Sequence, residues 1–111
     1  MTPAGLSYLC QLDDFVDGAS RGFTCGDLKL FGVRQGTKVY LYRNLCPHAD
    51  VPLEWQEHQF LDDSGTLIQC ANHGALFVIY TGRCVTGPCI GRNLQPIAHQ
   101  IIHNEVWVDL S

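Results

Sequence analysis

The sequence predicts an all-β fold, an antiparallel β-sandwich built from short strands. Three observations point there. Eleven glycines and five prolines punctuate the chain at short intervals. Helical periodicity is nearly absent, and β-rich apolar runs recur between turn signals, as they do in sandwiches and partly open barrels.

The elements follow in chain order. Residues 28–34 and 38–44 are β-rich runs joined by Gln35-Gly36-Thr37, a hairpin signal. The second run alternates, with Val39, Leu41 and Leu45 expected on one face and Lys38, Tyr40, Tyr42 and Asn44 on the other. Phe60-Leu61 and residues 66–69 flank Asp62-Asp63-Ser64-Gly65, a second hairpin turn. Residues 76–80 form a short apolar strand ending at Thr81-Gly82, and residues 97–102 and 106–110 close the fold around His103-Asn104-Glu105. Only residues 51–59 could hold a helical turn, started by Pro52. With no repeat, linker or low-complexity tract, residues 1–111 read as a single domain.

Composition narrows the function. Hydrophobic residues make up 46% and charged residues 16% of 111, a globular balance. A formal net charge of −4 with scattered Lys and Arg disfavours nucleic acid, whose phosphates need a basic surface. The N-terminal residues show no signal-peptide pattern, and no run reaches the roughly 20 apolar residues of a membrane helix. The expectation is a cytoplasmic protein that uses no membrane. In that reducing compartment, six cysteines suggest metal or redox chemistry before disulfides.

Two loops carry the chemistry. Cys46-Pro47-His48 and Cys70-Ala71-Asn72-His73 each pair one thiolate with one imidazole, and each follows a β-run. Four such donors suit zinc or an iron–sulfur cluster. A zinc knuckle usually separates its ligands by two to four residues, so the single residue between Cys46 and His48 is tight. A binuclear cluster relaxes that demand, because one loop can serve two irons.

This pattern resembles Rieske-type [2Fe–2S] ferredoxins, and the likeness continues through His73-Gly74-Ala75-Leu76-Phe77, Thr81-Gly82-Arg83 and Gly87-Pro88. The resemblance implies a Rieske-like antiparallel β-sandwich with a small cluster-binding subdomain formed by two loops, at about residues 45–90. It implies a [2Fe–2S] cluster with Cys46 and Cys70 on one iron and His48 and His73 on the other. The stretch between His48 and Cys70 is longer than the family usually has. Cys10, Cys25, Cys84 and Cys89 are expected as partly buried apolar residues, although Cys84 and Cys89 could approach each other. His58, His99 and His103 are expected on the surface or on strands, and Trp55 and Trp107 as core or loop anchors.

The resemblance also sets the class. Respiratory Rieske proteins carry an extra cysteine in each ligand loop, joined as a disulfide. Here Ala49-Asp50-Val51 and Ala71-Asn72 hold none. The positions that donate a Ser and a Tyr hydroxyl to cluster sulfurs match Ala75 and Phe77, which cannot donate. The expected potential therefore lies low in the Rieske range, at roughly −150 mV. The implied function is a one-electron carrier between a reductase and an oxygenase or other oxidoreductase, with those redox proteins as partners. Such a chain is an electron-transfer component and need not be an enzyme alone. The alternatives are a small Rieske subunit of a nitrite-reductase-like or ring-oxygenase complex, and a structural zinc-binding interaction module.

Overall fold

A computed structural model describes residues 5–47, 53, 58–70 and 74–109. The chain runs through β1 (Ser7–Gln11), a 3₁₀ turn (Leu12–Asp14), β2 (Ser20–Cys25), β3 (Leu28–Gln35), β4 (Lys38–Arg43), β5 (Leu67–Gln69), β6 (Leu76–Val78), β7 (Cys84–Thr86), β8 (His99–Ile102) and β9 (Glu105–Val108). These form three antiparallel sheets in the orders β1-β9-β8, β2-β3-β4 and β5-β6-β7.

The middle sheet is a meander of tight hairpins. Cys25 pairs Leu28 around Gly26-Asp27, and Gln35 pairs Lys38 around Gly36-Thr37. Both glycines adopt positive φ, at 61° and 64°, as two-residue turns with the twist of the strands require. The third hairpin is similar: Ile102 pairs Glu105 around His103-Asn104, whose φ angles are 51° and 63°. Glu105 therefore belongs to β9 rather than to the turn, because Asn tolerates the left-handed conformation that the second turn position needs.

Successive side chains of β3 and β4 enter two different cores. Leu30, Val39 and Leu41 pack with Cys10, Leu12, Phe15, Val106 and Val108. Phe31, Val33 and Tyr42 pack with Phe60, Ile68, Phe77, Ile79 and Leu94. Phe31 stacks on Phe60, ring centroids 4.3 Å apart. This corrects the expected polar face of β4: Tyr42 is buried, and its hydroxyl donates to Ile79 O at 2.6 Å. Alternation marks a polar face only where that face meets water, and here the β5-β6-β7 side covers it.

Three strands carried no sequence assignment. β1 pairs with β9, so its partner lies at the other end of the chain. β2 has no fully buried side chain and no strict alternation of burial. β7 is three residues long. The 3₁₀ turn also lies outside the one helical segment expected, and Asp14 Oδ2 secures it by accepting the Gln11 N–H at 2.9 Å. Most of that expected segment, residues 51–59, falls outside the described residues. The strand expected over 76–80 ends at Val78, and Ile79-Tyr80 form the turn beyond it.

Of the histidines expected at the surface or on strands, His99 does lie on a strand and His58 lies half-buried in a turn, and both join elements. His58 Nδ1 accepts the Gly22 N–H at 2.9 Å, its carbonyl accepts the Ser20 hydroxyl at 2.7 Å, and that hydroxyl accepts the Phe60 N–H at 3.1 Å. His99 sits on β8 with Nε2 2.8 Å from Val39 O on β4. Trp107, expected as a core or loop anchor, lies half-buried on β9 outside both cores, in edge contact with Tyr8, centroids 5.6 Å apart; Trp55 is outside the described residues.

Candidate metal centre

The first cysteine loop leaves β4 through Asn44, a buried polar residue. Its N–H donates to Lys29 O at 2.9 Å, and its side-chain Oδ1 accepts the Leu53 N–H at 2.9 Å. One residue thus ties the start of the loop to β3 through its backbone and to Leu53 through its side chain. Cys46 is fully buried between these points, and Pro47 O accepts from Arg92 Nη1 at 3.1 Å.

The second loop joins β5 to β6. Cys70, fully buried, donates its N–H to Ala75 O at 2.8 Å, and Gly74 N–H donates back to Cys70 O at 2.9 Å. Gly74 takes φ 67°, which closes the turn within the hairpin. Cys70 and Ala75 stand one residue beyond the ends of β5 and β6, so the β5-β6 pairing sets the mouth of this loop.

A third segment backs both loops. β7 pairs with β6, Cys84 opposite Phe77, and leads into Gly87-Pro88. Gly87 has φ 103°, and a Cβ there would stand 2.8 Å from the Ala75 Cα. Only glycine allows the segment to lie this close to the second loop. Arg92 reaches from the far end of the same segment to the first loop.

Cys46 and Cys70, from separate loops, both belong to the core that also holds Phe31, Tyr42, Phe60, Ala75, Phe77, Cys84 and Cys89. His48 and His73 lie outside the described residues. Cys84 and Cys89 do meet, Sγ to Sγ at 2.7 Å. Burial, then the hydrogen bond to Cys84, pushes the Cys89 thiol up to about 12. Cys10 is buried in the opposite core and burial pushes its thiol up to about 11. Thiols are among the donors an iron–sulfur cluster takes, and both of these cysteines come from loops of the same core. Asn44 and Arg92 were not legible as site residues, since their partners are backbone groups distant in sequence.

The Rieske [2Fe-2S] domain family model matches residues 6–101. The chain belongs to the Rieske [2Fe–2S] domain family. That family holds a [2Fe–2S] cluster, in accord with the buried cysteine pair. Among solved structures, the Rieske chain superposes on the ferredoxin of carbazole 1,9a-dioxygenase from Nocardioides aromaticivorans IC177 with TM-score 0.77 and 24% identity, covering 96% of this chain and 98% of that one. It superposes on the Sphingomonas yanoikuyae B1 ferredoxin with TM-score 0.74 and 26% identity, covering 96% and 99%. It also matches the terminal oxygenase of carbazole 1,9a-dioxygenase from the same Nocardioides, with TM-score 0.78 and 19% identity, covering 96% of this chain but 30% of that one. No curated protein matches the chain at a significant level. The all-β antiparallel fold expected from sequence is thus the Rieske ferredoxin fold. No helix among the described residues is long and apolar enough to cross a membrane.

Proposed function

We propose that the chain is a one-electron carrier of the ferredoxin class, taking an electron from a reductase and passing it to an oxygenase or a related oxidoreductase. The carrying observation is the match of residues 6–101 to the Rieske domain, with Cys46 and Cys70, from two loops, buried in one core. The cluster, when bound, stores and releases one electron. Cys46 and Cys70 would hold one iron and His48 and His73 the other, as the resemblance implies. Asn44 and Ala75 O fix the loop mouths, and the loop hydrogen bonds keep the thiols in place while the charge changes. Likeness over nearly the whole of two ferredoxins supports the ferredoxin-type carrier reading. One of those relatives is the ferredoxin of a dioxygenase, which makes an oxygenase the favoured acceptor. We read residues 1–111 as one domain with its cluster-binding part at about 45–90, working in the cytoplasm, where thiols stay reduced.

The test is spectroscopic. Dithionite-reduced protein should give the low-average-g EPR signal of mixed Cys/His ligation, with two irons and two sulfides per chain. Cys46→Ala, His48→Ala, Cys70→Ala and His73→Ala should each bleach it, while His99→Ala keeps the spectrum. A colourless protein holding one zinc per chain would establish the zinc module instead.

A further inference from the structure

Two cysteines outside the proposed ligand set meet in the core. Cys84 opens β7, Cys89 follows Gly87-Pro88, and both are buried. The Cys89 thiol donates to Cys84 Sγ across 2.7 Å. The backbone holds them together from both sides: Cys84 N–H donates to Arg92 O and Arg92 N–H to Cys89 O, each at 2.9 Å. The segment is also anchored outward, by Gly87 against Ala75 and by Arg92 on Pro47 O.

A lone buried thiol behaves as a small inert hydrophobe. Two thiols at this separation need little movement to reach a disulfide's S–S length of about 2.05 Å. We propose that Cys84 and Cys89 form a dithiol oxidation site that hydrogen peroxide converts to an intramolecular disulfide. Cys84 Sγ, the hydrogen-bond acceptor, attacks one peroxide oxygen. An S–O bond forms, the O–O bond breaks and the departing hydroxide takes the Cys84 proton, giving a sulfenic acid and one water. Cys89 Sγ then attacks the Cys84 sulfur. The S–S bond forms, the S–O bond breaks, and the hydroxyl leaves as a second water with the Cys89 proton. Two thiols and one peroxide become one disulfide and two waters, with two electrons passing from sulfur to oxygen. A small dithiol reverses the step by exchange. The new bond closes a ring through Val85-Thr86-Gly87-Pro88 and stiffens the segment that backs both cysteine loops.

The test uses the intact cluster-loaded protein with its thiols reduced. It is titrated with hydrogen peroxide, denatured in iodoacetamide and mapped by mass spectrometry. A Cys84–Cys89 linked peptide lacking two hydrogens, restored by dithiothreitol, is expected, with slower amide exchange over residues 84–92. In Cys89→Ser, Cys84 should stop at the sulfenic acid and be captured by dimedone. Alkylated Cys84 and Cys89 at a peroxide dose that has bleached the cluster or oxidised Cys25 would overturn the proposal, as would linkage of either to another cysteine. Should the variant not fold, the wild-type map decides alone. The EPR signal reports separately on the carrier reading, so either can fail without the other.

Discussion

Replacing Gly87 by alanine should damage the fold and the cluster loops together. Two effects add. An L side chain at φ 103° enters a region where left-handed backbone costs about 1–2 kcal/mol. The new Cβ also meets the Ala75 Cα at 2.8 Å, a backbone atom that cannot turn aside as a side-chain tip can. Overpacking of that kind costs about 1–3 kcal/mol, so the sum is about 2–5 kcal/mol. Gly36→Ala isolates the first effect: its φ is 64°, and nothing lies within 4 Å of the added carbon. For a domain of this size each kcal/mol lowers Tm by about 4 °C, giving drops of about 8–20 °C for Gly87→Ala and about 4–8 °C for Gly36→Ala. Thermal melts followed by far-ultraviolet circular dichroism and by visible absorbance make the comparison. In Gly87→Ala the visible colour should be lost below the main transition, because the clash lands beside the second cysteine loop. Equal Tm losses in the two variants would refute the claimed contact with Ala75.

Tyr42→Phe leaves the buried Ile79 carbonyl without its donor and should destabilise by about 1–2 kcal/mol in urea unfolding. Burial also pushes the Tyr42 phenol from 10.0 to about 12, so the folded state keeps the proton longer than the unfolded chain. That component of stability is whole below pH 10 and falls as pH rises toward 12, and unfolding series across this window should show Tyr42→Phe without it. Ser20→Ala removes both the donor to His58 O and the acceptor for Phe60 N–H, and a loss of about 1.4 kcal/mol should speed Phe60 amide exchange roughly tenfold. Ala75→Ser with Phe77→Tyr should move the midpoint potential upward from roughly −150 mV, read by voltammetry; an unchanged or lowered value would show that these positions do not face the cluster sulfurs.

Much of the fold was legible because its turns are chemically loud. Gly36, the Asp62 to Gly65 run and His103-Asn104 each announce a reversal, and the flanking runs supply the strands. What stayed hidden depends on partners far along the chain. β1 acquires its meaning only from β9, and Ser20 only from His58 and Phe60. Tyr42 was placed on a polar face because alternation reports two environments without saying that both are dry. At the site, Cys46 and Cys70 stand out by residue type and spacing. Asn44 and Arg92 do not, since an amide and a guanidinium that bind backbone groups leave no local pattern.

The two-faced middle sheet has a kinetic consequence. β2, β3 and β4 are joined by two-residue turns, so their pairing closes short loops and should form early. Pairing of β1 with β9 must close nearly the whole chain and should come late. The early meander already carries Leu30, Val39 and Leu41 on one side and Phe31, Val33 and Tyr42 on the other. It can therefore template each half independently. The half that holds Cys10 and Val106 is then sealed last, when β1 meets β9 across the face the meander has already laid down.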